Sequence, residues 1–335
     1  MDYDRLVQHQ KNYFQSQATK PIKWRQQQLK QLKRLVVENE TSLLTALFQD
    51  LSKPSQEAWM TEISYITSDI AHTLKHLKKW MKKRKVTSSL ISLPASSYVQ
   101  AEPLGSILII SAWNYPLQLT LGPLIAVIAS GNCAVLKPSE LAPHTSAIIA
   151  KLVPLYLDQK AFAVIEGGVA ETTALLNCHF DHIMYTGNGK VAKIVMSAAA
   201  KNLTPVTLEL GGKSPAVIDR SIPVRQAAER LVYPKCLNAG QTCVAPDYVM
   251  CPQEQVDAFV QHFLSEAKQQ FGDVRSNPDY SAIINLKQRE RLIALLADAE
   301  AKGAQLYVAG DSDDLSDYDN KLPPIVVTGV HDDMT

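Results

Sequence analysis

Apolar positions in the first eighty residues recur at helical spacing, as in Leu29, Leu32, Leu35 and Val36 and again in Leu43, Leu44 and Leu47. The chain is therefore predicted to open with a helical lead-in. Beyond residue 105 the pattern changes, and short apolar runs alternate with amphipathic segments of helix length. Residues 161–165 precede 171–177, 182–185 precede 190–201, and 206–210 precede 225–236. A further pair follows, strand-like at 248–251 and helical at 254–270. This rhythm predicts an α/β fold: a doubly wound parallel sheet followed by a second α/β domain.

One uncharged stretch of 33 residues, from Leu104 to Leu136, has the length of a membrane span. Asn114, Pro116, Gln118, Gly122, Pro123, Ser130, Gly131 and Asn132 divide it into shorter pieces. Its runs at 106–110 and 133–136 read as strands flanking a helix near 117–129. Such continuous apolar strands belong in a sheet covered on both faces, so no transmembrane segment is expected.

Composition narrows the function classes. A chain of 335 residues suggests about two domains. Lys plus Arg at 34 against Asp plus Glu at 33 leaves no global field for nucleic acid or an anionic membrane. Seven basic residues between Lys75 and Lys85 surround Trp80, and they read as the solvated end of a long surface helix rather than a nucleic-acid site. The acidic stretch at 311–319 (Asp311, Asp313, Asp314, Asp317 and Asp319) lacks the glycine and terminal glutamate of a calcium loop and reads as an exposed loop. Five cysteines without a C-x-x-C pair argue against a disulfide framework and against a zinc site, so no metal is expected. With no apolar signal core at the N-terminus, the expected location is the reducing cytoplasm.

Two segments carry candidate chemistry. Gly187-Asn188-Gly189-Lys190-Val191-Ala192 follows a predicted strand and opens a predicted helix, the context in which a glycine turn brings backbone N–H groups up to a pyrophosphate. Glu209 stands 20 residues after Gly189, where an acid would hold a ribose. Cys243 lies in Asn238-Ala239-Gly240-Gln241-Thr242-Cys243, a glycine-containing loop between helix and strand, and is the candidate nucleophile. Cys133, Cys178, Cys236 and Cys251 fall within or beside apolar runs and read as structural.

Taken together these pieces resemble the NAD(P)-dependent aldehyde dehydrogenase superfamily. The resemblance rests on Thr207-Leu208-Glu209-Leu210-Gly211-Gly212-Lys213-Ser214-Pro215 and Gly240-Gln241-Thr242-Cys243, supported by Trp113-Asn114-Tyr115-Pro116, Leu136-Lys137-Pro138-Ser139-Glu140 and Tyr185-Thr186-Gly187. The order of these motifs is that of the class 3 branch, over essentially the whole chain. The resemblance implies oxidation of a small-molecule aldehyde by NAD, with NADP also accepted in that branch. Cys243 would add to the aldehyde carbon, and the Asn114 amide and Cys243 N–H would hold the oxyanion. After hydride transfer to the nicotinamide, Glu209 would act as the base that activates water against the thioester, its pKa tuned by burial; this role is favoured over ribose binding.

Lys137 and Glu140 resemble the pair at the adenine ribose, where the Glu140 carboxylate would repel a 2′-phosphate and favour NAD. Trp113, Gly187, Asn188, Gly189 and Ala192 complete the expected cofactor contacts. The domain expectation is a lead-in plus NAD(P)-binding domain at 1–205 and a catalytic domain at 206–335. The resemblance also implies a homodimer for the full-length family. The resemblance further implies an E-x-F-G-P motif that grips the nicotinamide ribose; none occurs in this sequence, so the catalytic domain is expected to be incomplete at its C-terminal end. The alternative reading is an inactive remnant that binds nucleotide or a full-length relative. A CoA-acylating enzyme is a third reading, against which Glu209 argues.

Overall fold

The computed structural model describes residues 2–312 and 314–335, so Asp313 of the acidic stretch lies outside the described residues. Two compact units emerge, one formed by Met1–Leu43 with Trp59–Glu209 and the other by Leu44–Ala58 with Leu210–Thr335.

In the first unit, helices α1 (Tyr3–Gln15) and α2 (Ile22–Glu38) form the predicted lead-in, and Leu29, Leu32, Leu35 and Val36 are the buried stripe of α2. The chain runs through α3 (Glu40–Leu51) and α4 (Ser55–Ala58) into a π-helical turn at Trp59–Ile63 and then α5 (Ser64–Trp80). Strands β1 (Arg84–Val86) and β2 (Ser97–Val99) pair antiparallel. The basic cluster is thus not wholly a helix end: α5 stops at Trp80, and Arg84 and Lys85 belong to β1.

The core of this unit is a sheet of β3 (Ser106–Ile110), β4 (Cys133–Lys137), β5 (Phe162–Val164), β6 (His182–Gly187) and β7 (Val206–Leu210), in the order β5-β4-β3-β6-β7. Pairings β3–β4, β3–β6 and β4–β5 are parallel. Every residue of β3 and β4 is buried. Side chains alternate between sheet faces, so burial of consecutive residues means that both faces are covered. Helix α6 (Pro116–Ser130) joins β3 to β4, α7 (Pro143–Tyr156) joins β4 to β5, and α8 (Val169–Asn177) and α9 (Gly189–Ala200) flank β6. The 33-residue uncharged stretch is therefore strand, helix and strand, and no helix among the described residues is long and apolar enough to cross a membrane.

Counted from β3, the strand order is 3-2-1-4-5, which reverses between β3 and β6. Such a reversal opens a crevice beyond the carboxyl ends of the strands, the place where α/β sheets take nucleotides.

The second unit pairs β8 (Ser214–Val217) with β9 (Pro246–Met250) in parallel and β10 (Gln305–Val308) with β11 (Ile325–Thr328) antiparallel. Helices α10 (Val224–Cys236), α11 (Val256–Phe271) and α12 (Leu286–Ala301) accompany them. Val232, Phe259, Phe263, Tyr280 and Tyr318 are central to its core. Segment 44–58 is tied in through the Ala282 N–H, which donates to the Leu51 carbonyl at 2.7 Å.

Candidate active site

In the first unit the crevice is lined by the segments that follow β3, β4 and β6. After β3 come Trp113 and Asn114, both half-buried, on the bend that leads into α6. Tyr115, at the cap position of α6, does not cap the helix with its side chain, and Pro116 stands in the first turn. The missing cap comes from afar. The Glu62 carboxylate, 0% exposed, accepts from the Leu117 N–H at 2.9 Å and the Gln118 N–H at 3.1 Å. An anion at this position satisfies two orphan donors and the positive end of the helix dipole together. Sequence reasoning missed Glu62. Its signal was present, because Glu62 falls on the apolar stripe that continues through Ile63, Ile66 and Ile70.

At the end of β4 the Lys137 side chain is almost wholly buried, and its Nζ donates to the Pro138 carbonyl at 2.7 Å. The same Nζ lies 3.6 Å from the Glu140 carboxylate, which is about half exposed. Burial lowers the Lys137 pKa, and Glu140 opposes the shift. The structure thus brings Lys137 and Glu140 together, with the buried cation presenting the exposed anion.

After β6 the glycine turn enters α9. A side chain at Gly187 would collide with the buried Tyr185 ring, whereas a Cβ at Gly189 would meet open space. The Asn188 side chain caps α9 by accepting from the Val191 N–H at 2.9 Å. Ala192 is buried in the core with Leu108 and Val195, so its small size serves the packing of helix on sheet. The turn differs in place from the ordinary dinucleotide fingerprint, which follows the first strand of such a sheet, since here it follows the fourth. It still borders the crevice, because β6 lies next to β3 across the reversal.

Glu209 departs from expectation. It is exposed rather than buried, because Val206 and Leu208 of β7 pack against the core and Glu209, alternating with them, falls with Thr207 on the opposite, exposed face. A role for this carboxylate cannot draw on burial within the described chain.

In the second unit Cys243 is exposed, while Cys133, Cys178 and Cys236 are buried and Cys251 is half-buried. Burial raises the thiols of Cys133, Cys178 and Cys236 to about 12. The chain reaches Cys243 through Asn238, Ala239 and Gly240, whose φ angles of 53°, 52° and 76° are all left-handed. The Gln241 side chain clamps this turn: its amide donates to the carbonyls of Asn238 and Ala282, both at 2.9 Å, and its oxygen accepts from the Ile284 N–H at 3.0 Å. Gly212 explains part of the glycine pair in the sequence, since a Cβ there would stand 2.6 Å from the Cys243 carbonyl oxygen. Neither the Gln241 clamp nor this close approach was legible from spacing, because both join segments distant in the chain. Nearby, Lys213 pairs with Asp247 at 2.6 Å. Burial lowers the Lys235 pKa, against the attraction of Asp247.

Among the described residues no group of three or more His, Cys, Asp or Glu is arranged to hold a metal ion. The crevice, the open glycine turn and the Lys137–Glu140 pair fit a dinucleotide: a helix N-terminus for the pyrophosphate and a carboxylate for ribose hydroxyls.

Comparison with known proteins matches the chain as a whole to a family. The aldehyde dehydrogenase family model matches residues 1–335. Aldehyde dehydrogenase family 3 member A2 of Rattus norvegicus is 44% identical over 328 residues, which are 98% of this chain and 66% of that protein. The 4,4'-diaponeurosporen-aldehyde dehydrogenase of Staphylococcus aureus (strain NCTC 8325 / PS 47) is 41% identical over 309 residues, 92% of this chain and 67% of that one. The solved substrate-bound state of Staphylococcus aureus AldH matches with a TM-score of 0.91 at 39% identity, covering 97% of this chain and 70% of that one. The chain spans about two thirds of the length of the curated relatives it matches.

Proposed function

The chain belongs to the aldehyde dehydrogenase family, and from that premise we propose that it oxidises an aldehyde to the carboxylic acid with NAD, using Cys243 as nucleophile. The observation that carries the proposal is the contrast among the thiols. Cys243 alone is exposed, on a turn held in the left-handed region, while three others are buried and pushed up to about 12.

In this reading residues 1–205 bind the cofactor and 206–335 supply the nucleophile. Gly189 leaves open space for the pyrophosphate at the start of α9, Gly187 makes room for the Tyr185 ring beneath the turn, and Lys190 adds positive charge in the first turn. Lys137 holds Glu140 in place to accept from ribose hydroxyls, and the carboxylate disfavours a 2′-phosphate, so NAD is preferred and NADP tolerated. Bound dinucleotide would supply the hydride acceptor through which the adduct on Cys243 becomes a thioester. The chain's part is to form a carbon–sulfur bond from the Cys243 thiolate to the aldehyde carbon. The Asn114 amide and Cys243 N–H then donate to the resulting oxyanion, a donor of this kind typically giving ~2.7 to 4 kcal/mol in the transition state. Glu209 then takes a proton from the water that attacks the thioester, and the Cys243 thiolate leaves. Exposure of Glu209 is compatible with this role through its reach to water, in place of the expected tuning by burial.

The same reading includes a homodimer, supported by the exposed apolar turn of Leu90, Ile91 and Leu93 between β1 and β2. A cytoplasmic location is supported by five free thiols. NADH formation from NAD and a medium-chain or aromatic aldehyde tests the function. Wild type is expected to produce NADH and Cys243→Ala none, while both bind NAD in calorimetry; equal turnover by the two proteins would overturn the assignment.

A further inference from the structure

The turn that presents Cys243 needs external support. Three successive left-handed residues precede Gln241, and at Ala239 the Cβ makes this conformation sterically unfavourable. Strained backbone of this kind persists where surrounding groups over-determine it. Helix α10 ends at Cys236, and the Leu237 N–H still donates to the Tyr233 carbonyl in helical fashion. The next N–H, that of Asn238, turns away from the helix. It donates to Oε1 of Glu57 at 2.9 Å. The same oxygen accepts from the Ser281 hydroxyl at 3.3 Å. Ser281 adjoins Ala282, Ile283 and Ile284, the stretch to which the Gln241 amide is clamped.

Glu57 therefore binds both ends of one arrangement: the first residue of the left-handed turn and the segment against which that turn is held. It does so from α4, a helix of four residues packed within the same unit. Its charge is felt nearby, where it contributes to the raised pKa values of Tyr233 and Tyr280 behind the larger effect of their burial. Charge-assisted hydrogen bonds to backbone N–H groups are about twice as strong as neutral ones.

We propose that Glu57 is a positioning residue for Cys243: by fixing the Asn238 N–H it sets the turn that aims the Cys243 thiol and N–H. This inference rests on the reading of Cys243 as nucleophile. Two substitutions separate position from charge. Glu57→Gln keeps an acceptor oxygen at the same reach without the charge, and Glu57→Asp keeps the charge but withdraws the oxygen by one methylene.

Amide exchange of peptides covering 237–242 and the rate of Cys243 alkylation by iodoacetamide are to be measured on the full chain, with melting temperature as control. Glu57→Asp is expected to speed exchange in that segment by about tenfold, with α11 and β3 unchanged. It should also change the Cys243 alkylation rate by about fivefold and lower kcat by about ten- to a hundredfold with little change in KM, as misplacement of a reacting group does. Glu57→Gln should retain most of the wild-type values. Exchange and alkylation in Glu57→Asp that match wild type would overturn the proposal. So would changes that appear only in step with a general loss of protection across α11 and β3. Because exchange and alkylation need no turnover, they decide the role of Glu57 even if Cys243→Ala shows that the nucleophile assignment fails.

Discussion

Cys243 differs from the other cysteines in its surroundings, being exposed where Cys133, Cys178 and Cys236 are buried. Cys133 closes against the Gln10 carbonyl at 3.7 Å in the heart of the sheet, and Cys236 is buried at the end of α10. Only the thiolate attacks an alkylating agent, so a thiol raised to about 12 is held inert near neutral pH. Limiting iodoacetamide at neutral pH is therefore expected to place a single adduct on Cys243, at least about a hundredfold faster than on Cys133 or Cys236. Peptide mapping by mass spectrometry checks this, and early labelling of a buried cysteine would contradict it. This residue-scale contrast was legible in the sequence, since Cys133 stands in an apolar run and Cys243 in a loop that contains Gly240. The exposure of Glu209 was not, because alternation along β7 does not reveal whether its faces are covered.

Elements were legible where periodicity and burial agree. The runs at 106–110 and 206–210 are strands with those bounds, and the helix expected near 117–129 extends by one residue at each end. The short pairs β1–β2 and β10–β11 escaped, being three or four residues long and without a fully buried face to impose alternation. Distant capping escaped for another reason: α6 begins without a cap of its own, and Glu62 belongs to the turn before α5. Glu62→Ala leaves the Leu117 and Gln118 N–H groups without this acceptor. Bonds to a charged group contribute about 1.5 to 3 kcal/mol each, so a loss of at least about 2 kcal/mol is expected, with Glu62→Gln recovering most of it. Urea denaturation at constant m-value measures the difference, and an alanine variant within about 0.5 kcal/mol of wild type would refute the capping role.

At the scale of the whole molecule, the buried thiols make stability depend on alkaline pH. Unfolded thiols lose protons near 8.5, whereas folded Cys133 and Cys236 hold theirs to about 12, so above about pH 8.5 the unfolded chain binds fewer protons and gains in relative stability. Each group can lower folding stability by up to about 1.4 kcal/mol per pH unit in that window. Cys133→Ala should flatten the fall of stability between pH 9 and 11 in chemical denaturation, and an unchanged slope would contradict the burial argument. The 3-2-1-4-5 sheet, the glycine turn and the exposed thiol are the observations behind the proposed chemistry, in which Cys243 would carry the acyl group. The most direct test is to mix Glu209→Gln protein with NAD and an aromatic aldehyde and to map the product by mass spectrometry. The account predicts an acyl adduct on Cys243 that matches the NADH formed, because acylation precedes the step that needs the base. NADH released without any adduct on Cys243, or an adduct on another residue, would contradict it.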